Sequence, residues 1–266
     1  MKKFLGYLTL ILLAFSMLYP FAAMVWLSFV PTSNIFSGGH VLTFENYKNV
    51  FTQLPIAKYF LNSLLVASVA TVGQVLIASL AGYAFARLNF KYKNGLFLLI
   101  LITMLVPPQV NIIPLFFLMR QLHLVDTYPA MILPALFGAF GVFLMRQYFL
   151  GLPKDLEDSA RIDGCGPFGT FFKIALPLAL PAVATLSIFT FVSTWNSFLW
   201  PLIVTNSDTM RTLPVGLAIY KGSFRELTLW GELLACSVIC VIPVIGVFLL
   251  GKKYFIADIL QGGVKE

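Results

Sequence analysis

The chain has 266 residues, 59% of them hydrophobic and 11% charged, with a mean hydropathy of +0.89. A soluble domain carries roughly 25% charged residues, so this composition excludes a water-soluble globule and predicts a helical protein whose outer solvent is lipid. The net charge of +7 does not mark a nucleic-acid surface, because the Lys and Arg residues are scattered at the ends of apolar runs. Cys165 lies in a polar stretch, and Cys236 and Cys240 are one helical turn apart in an apolar run. They make no disulfide framework and suggest no metal site.

Lys2 and Lys3 precede the first apolar run, 4–30. It exceeds the core of a signal peptide, roughly 7–15 residues, and closes on no small-x-small cleavage site. It is read as a retained transmembrane helix. Residues 31–59 form a polar loop. The second run, 60–86, carries Gly73, Ala78, Ala81 and Gly82, small residues that let helices approach closely in lipid. Arg87, Lys91 and Lys93 make a short basic loop. The third run, 95–119, is interrupted by Pro107, Pro108 and Pro114, with Gln109 and Asn111 at the break. Prolines free backbone groups and bend a helix, and bent, partly polar helices line cavities.

The fourth run is 129–149, and a long polar stretch, 151–176, follows it. The fifth, 177–204, holds Ser193, Thr194, Trp195 and Asn196. A mixed loop from Asn206 to Leu229 leads to the sixth run, 232–251, which Lys252 and Lys253 are expected to stop. The fold class is all-α: a polytopic membrane protein with six transmembrane helices and a single transmembrane domain over 1–266. The face bearing the termini holds twelve of the Lys and Arg residues and the opposite face six. The positive-inside rule therefore puts both termini and the 151–176 stretch in the cytoplasm.

Catalytic signals are poor. The run from Gly246 to Lys253 nearly spells a phosphate-binding loop, but Lys253 stands where the magnesium-binding hydroxyl belongs. Any ATP chemistry must then come from another chain. There is no serine-nucleophile elbow and no zinc-binding HExxH pair, and His40 and His123 fall in different loops. Almost no ionisable group lies inside the runs, which counts against an ion-coupled carrier. A stand-alone secondary transporter or channel is the alternative reading; it would require an inverted repeat and intramembrane charges.

The polar stretch is too elaborate for a connector. Pro153 suits a first helical turn, and Asp155, Glu157 and Asp158 lie where the helix dipole favours negative charge. Lys154 with Asp158, and Glu157 with Arg161, are opposite charges at i,i+4. Leu156, Ser159, Ala160 and Asp163 share one narrow face. Gly164 ends the helix, and Phe168, Phe171 and Phe172 follow beside Lys173. Two readings fit: a docking helix, or a solvated amphipathic linker with its aromatics in the membrane interface.

This stretch resembles the EAA loop of ABC-transporter permease subunits, whose pattern is E-A-A, three residues, G, nine residues, I-x-L-P. The chain reads Asp158-Ser159-Ala160, three residues, Gly164, nine residues, Ile174-Ala175-Leu176-Pro177. Asp replaces Glu and Ser replaces the first Ala. The segment ALPLALPA and the following FTFVSTWNSFLWPL, Thr212 to Leu217, Phe44 to Tyr47, and Asn62-Ser63 are similar to six-helix permeases of carbohydrate-type importers.

The resemblance implies a type I ABC importer permease fold. It implies half of the translocation pathway for a sugar or oligosaccharide in a binding-protein-dependent importer. It makes Glu157, Asp158, Ser159, Ala160, Asp163, Gly164 and Phe168 the coupling surface for a separate ATPase, with the tail near Gln261 to Lys265 also touching it. It makes Leu213, Pro214, Val215, Gly216 and Leu217, within a region extending to Phe224, a contact for the solute-binding protein. Gln109, Asn111, Trp195 and Asn196 are expected either to line the substrate path or to pack helices. The implied partners are a second permease, two ATPase subunits and an extracellular or periplasmic binding protein. This chain binds no cofactor of its own; ATP and magnesium belong to the ATPase. The implied location is a bacterial plasma membrane.

Overall fold

In lipid every backbone N–H and C=O needs an internal partner, and an apolar run satisfies them most simply as a helix. The computed structural model describes residues 2–37, 41–223 and 229–262. Among these, every regular element is helical: α1 (Lys2–Ser28), α2 (Glu45–Gln53), α3 (Ile56–Arg87), α4 (Lys93–Thr103), α5 (Ile112–Gln121), α6 (Tyr128–Ile132), α7 (Ala139–Gly151), α8 (Asp155–Ile162), α9 (Pro167–Thr170), α10 (Leu176–Leu178), α11 (Leu180–Trp195), α12 (Leu199–Val204), α13 (Leu213–Ser223) and α14 (Trp230–Gly262).

Three helices are long and apolar enough to cross a membrane unaided: Lys3–Ser28, Ile56–Arg87 and Trp230–Lys253. Three more spans are broken. Lys93–Thr103 meets Pro108–Gln121 at 90°, Tyr128–Leu136 meets Ala139–Gly151 at 40°, and Pro167–Leu178 meets Leu180–Trp195 at 78°. With each bent pair as one span, the total is six, the number of apolar runs.

The structure departs from the sequence expectation in three places. The fifth span begins at Pro167 rather than 177, so much of the polar stretch is already helix. Pro177 and Pro181 have no N–H to return to the carbonyls four residues back. The chain accommodates them with a π-helical stretch, Phe171–Ala175, and a break at Ala179, whose φ and ψ are −88° and 8°. Second, α14 runs through Lys252 and Lys253 to Gly262, since lysine is a good helix former. Third, the two polar loops contain the helices α2 and α13. Phe224 and residues 263–266, to which partner contacts were extended, lie outside the described residues.

The chain divides into two compact units, Met1–Phe60 with Leu213–Pro243, and Leu61–Thr212 with Val244–Glu266. In the first, buried polar groups tie loop backbone to helices. Asn46 Nδ2 donates to the carbonyls of Ser28 and Val30, both at 2.8 Å. Gly231 leaves room for that amide, because a Cβ there would lie 2.5 Å from Asn46 Nδ2. Glu232 is 4% exposed and accepts from Asn49 Nδ2 at 2.9 Å and from the Tyr220 hydroxyl. Burial, helped by the hydrogen bond and charge of Glu232, pushes the Tyr220 hydroxyl well above its ordinary pKa. Gly216 packs against the ring of Tyr59, where a Cβ would sit 2.3 Å from Cδ2.

In the second unit α3, α7 and α11 share one core that includes Ala78, Tyr83, Val142, Met145, Phe149 and Leu186. Gly82 sets the distance of closest approach. A Cβ on it would fall 2.7 Å from Met145 Cβ and 2.8 Å from the backbone nitrogen of Arg146. At the far end of this unit Asp126, at φ 64°, accepts from the backbone N–H groups of Asn206 and Ser207 at 2.8 and 3.0 Å. Burial works to raise its pKa, but those hydrogen bonds prevail and hold the carboxyl below its ordinary value. Because the clash at Gly82 is with backbone, Gly82→Ala should separate α3 from α7 and lower the unfolding temperature of the detergent-purified protein by several degrees. Gly95→Ala, where nothing lies within 4 Å, should leave it unchanged.

Candidate coupling site and membrane cavity

The last turn of α3 leaves carbonyls without intrahelical partners, and cations gather on it. Lys93 Nζ donates to the carbonyls of Leu88 and Ala86 at 2.8 and 3.4 Å. Arg146 Nε donates to that of Phe85 at 3.2 Å, with its guanidinium 4.1 Å from the ring centre of Phe97. The sequence explains these residues by topology; the structure adds that they cap a helix, at the end where its dipole favours positive charge.

Arg87 turns the other way. Its guanidinium donates to the carbonyl of Leu152 at 2.6 Å, and its Nε stands 2.7 Å from Glu157 Oε1. Both side chains are buried, 3% and 5% exposed. The Nε–Oε1 approach is a charge contact rather than an aligned hydrogen bond. The other carboxylate oxygen accepts from the Tyr83 hydroxyl at 3.2 Å. Tyr83 in turn sits 5.5 Å from Phe149 and 5.2 Å from Phe171, ring centre to ring centre. Thus α3, the end of α7, α8 and the π-helical stretch meet in one buried polar-aromatic joint.

This arrangement divides the sequence-derived coupling set. Glu157 and Ala160 are buried, on the inner side of α8. Glu157 pairs with Arg87, far along the chain; the Arg161 side chain, its sequence-expected partner one turn on, lies outside the described residues. Asp158, Ser159, Asp163, Gly164 and Phe168 are exposed. Leu156, 46% exposed and placed on this helix's narrow face from sequence, joins them, as does Ile162, 87% exposed, which was not singled out. At the helix end Gly164 takes φ +83°, and the Cys165 N–H reaches back to the carbonyl of Ala160 at 2.9 Å, the bond that closes a Schellman turn.

The second feature is a cavity of about 1070 Å³ within the second unit. Its walls are the bend between α4 and α5, the bend between α6 and α7, and one face of α11. Gln109 and Asn111 lie on the wall. Trp195 does not; it is 1% exposed and stacked on Phe191 at 5.8 Å. Asn196 is exposed but is not among the lining residues. From the fifth span, Thr190, Ser193, Thr194 and Ser197 line the cavity. Helical spacing could have indicated this, since 190, 193, 194 and 197 share one face and 195 points off it.

Of the expected binding-protein contacts, Leu213, Val215 and Gly216 are buried and Pro214 and Leu217 are half-buried. The first three anchor α13 in its unit; among its described residues, Ala218 and Lys221 are exposed.

The family described as "Binding-protein-dependent transport system inner membrane component" matches residues 74–259. The chain belongs to this family. It is 42% identical to the arabinooligosaccharides transport system permease protein AraQ of Halalkalibacterium halodurans, over 95% of this chain and 93% of that protein. It is 33% identical to the sn-glycerol-3-phosphate transport system permease protein UgpE of Yersinia enterocolitica, over 78% and 74%. A crystal structure of a bacterial ABC transporter that imports the acidic polysaccharide alginate shares the fold. Its TM-score is 0.82 at 24% identity, and 96% of each chain is covered. The chain is therefore a multi-pass membrane component of a binding-protein-dependent transport system, with the fold of ABC importer permeases.

Removing one member of a buried ion pair leaves the other charge uncompensated and costs about 3–5 kcal/mol. Glu157→Ala and Arg87→Ala should each lower the unfolding temperature of the purified protein markedly. The double change Arg87→Met with Glu157→Leu should recover most of the loss, as followed by thermal denaturation in detergent.

Proposed function

We propose that this chain is one permease half of an ATP-driven sugar or oligosaccharide importer. In this reading α8 is the coupling helix that docks on a separate ATPase subunit, which holds the ATP and magnesium. A second permease, two ATPase subunits and a solute-binding protein complete the assembly, and both termini lie in the cytoplasm with α8. The observation that carries the reading is the two-sidedness of α8. Its inner side is fixed by the buried Arg87–Glu157 contact, and its outer side carries Asp155, Asp158, Ser159 and Ile162, all exposed. Residues 155, 158, 159 and 162 follow helical spacing on one face. An isoleucine this exposed on a polar element is an apolar anchor without a cover within the described chain. Gly164 keeps the turn after the helix free of side chain, and Phe168, 73% exposed, stands beside it.

The docking face moves force into the membrane through what is attached behind it. The joint at Tyr83, Phe149 and Phe171 links α8 to α3, to α7 and to the π-helical start of the fifth span. Displacement of α8 by an ATPase would therefore move three spans together. In the first unit, α13 is the element proposed to meet the binding protein, with Leu213, Val215 and Gly216 as its buried footing and Pro214 and Leu217 nearer the surface. The twelve-to-six distribution of Lys and Arg supports this orientation. The sugar assignment is supported by the arabinooligosaccharides permease relative and by a cavity rich in hydroxyls and amides.

Ile162→Asp and Asp158→Lys test the docking face without touching the core. Each should abolish co-purification of the ATPase and cut transport by about ten-fold or more, the scale of losing an interface anchor. The unfolding temperature of the isolated permease should not change. Normal assembly and transport in both variants would show that α8 does not couple.

A further inference from the structure

We infer that the end of α3 where Lys93 and Arg146 meet, with Lys91 and Lys154 beside it, is a seat for the phosphate headgroup of an anionic phospholipid whose acyl chains run along the exposed side of α4. This stands apart from the importer reading and holds whatever solute is carried.

The cations are gathered by backbone, not by acids. Lys93 Nζ is held by the carbonyls of Ala86 and Leu88, and Arg146 Nε by that of Phe85. These bonds bring a lysine from the start of α4 and an arginine from α7 onto one helix end. Lys154, in the bend before α8, is near enough to join Arg146 in repelling the Lys93 charge. Among the described residues Lys91, Lys93, Arg146 and Lys154 make no ion pair. Of the acids nearest in sequence to Lys154, Asp155 and Asp158 are exposed on the outer side of α8, and Glu157 is taken by Arg87.

The carbonyl end of a helix carries about half a negative charge. Against Lys93, Arg146 and Lys154 that leaves a surplus of roughly two positive charges or more. Donors remain as well. Lys93 uses two of its N–H bonds on carbonyls and Arg146 uses one. The terminal nitrogens of the guanidinium are left, and these are the pair that grips two oxygens of one phosphate. Arg87 leaves the same helix end on its other side and has its carboxylate in Glu157. A phosphate would do for Lys93 and Arg146 what Glu157 does for Arg87.

Depth decides the kind of anion. Lys93 opens a broken membrane span, Lys93–Thr103. The Arg146 guanidinium lies 4.1 Å from the ring centre of Phe97, one turn further along that span. These charges therefore stand where a span leaves the hydrocarbon, at the level of lipid phosphates. Phe90 and Tyr92, 40% and 71% exposed, flank them, as aromatic residues do at a membrane interface. Lys91 Nζ is 4.9 Å from the ring centre of Tyr92. Beyond the charges, Leu98, Leu99 and Ile102 are exposed along α4 while Phe97 is buried. Positive charge at the head of an apolar strip matches the two ends of a phospholipid, and basic pockets between membrane helices take anionic headgroups. A free nucleotide or an acidic protein would match the charge and not the strip.

The test is lipid binding to the full-length chain, purified in detergent with any subunits that accompany it, read by native mass spectrometry and by thermal denaturation. Phosphatidylglycerol, phosphatidylcholine and inorganic phosphate are titrated separately. The chain should retain phosphatidylglycerol at concentrations where phosphatidylcholine is lost, and its unfolding temperature should rise with phosphatidylglycerol alone. Arg146→Gln/Lys154→Gln should weaken that binding by about 25-fold, at about five-fold for each cation near a membrane surface. Lys173→Gln, which alters an exposed lysine outside the cluster, should leave it within about two-fold. Arg146 also packs on Phe97, so if the double variant is not recovered folded, Lys91→Gln/Lys154→Gln, where both side chains are exposed, should show the same loss. Equal retention of the two lipids, or phosphatidylglycerol binding unaltered in the recovered variant, would overturn the inference. Protection by inorganic phosphate equal to that by lipid would mark a free-anion site and overturn it too. So would loss of accompanying subunits with lipid binding intact, which would mark the cluster as a protein contact.

Discussion

A buried ion pair fixes α8 against the end of α3. Arg87 closes α3, Glu157 lies in the first half of α8, and the two meet at 2.7 Å with almost no solvent contact. A buried pair of this kind contributes little net stability compared with an apolar contact of similar shape, yet it is costly to break. What it contributes is definition. Only one placement of α8 satisfies the Arg87 guanidinium, the Leu152 carbonyl and the Tyr83 hydroxyl together. The aromatic rings beneath it, Tyr83, Phe149 and Phe171, make that placement stiff. In the proposed importer, stiffness at this point is what turns the displacement of a short surface helix into motion of membrane spans.

The membrane half of the second unit depends on two opposite backbone devices. Glycine brings helices together, at Gly82 against Met145 and at Gly251, where a Cβ would meet Ile188 at 2.3 Å. Proline drives them apart, at the 90° bend before Pro108 and the 78° bend between Pro177 and Pro181. Straight, fully packed helices would leave no room for a ligand in lipid. The alternation of close approach and sharp bend opens the cavity while the backbone groups released at the bends are met by turns and neighbouring side chains. The π-helical stretch at Phe171–Ala175 lies directly between the coupling joint and the second of these bends. It joins the coupling joint to the span whose α11 face lines the cavity.

The parts legible in the sequence were those with a local signature. Six apolar runs, the Pro107–Pro108 break and the glycine stop at Gly164 each declare themselves within a few residues. What was not legible required knowing a neighbour far along the chain. Glu157 and Arg87 are separated by most of two spans, so Arg87 read as a topology marker and nothing local joined it to Glu157. For Trp195 the sequence left open the path and the packing of helices; its burial on Phe191 follows from which face of α11 meets the core. Ile162 passed unnoticed since an isoleucine in an amphipathic helix is ordinarily read as a core contact. The fifth run was read to start at Pro177, as proline favours a first turn; that Pro177 and Pro181 lie inside a span appears only once the helix is seen to start at Pro167.

The central claim is that α8 and the end of α3 move as one body during the ATP cycle. Spin labels placed at Asn89 and Asp155, both exposed, in a complex whose cysteines have been replaced, report this directly by pulsed electron paramagnetic resonance. The account predicts one narrow distance distribution, the same in the nucleotide-free and ATP-bound importer, while either label measured against the other permease changes. A shift of about 5 Å, one helical turn, between Asn89 and Asp155 on ATP binding would contradict it.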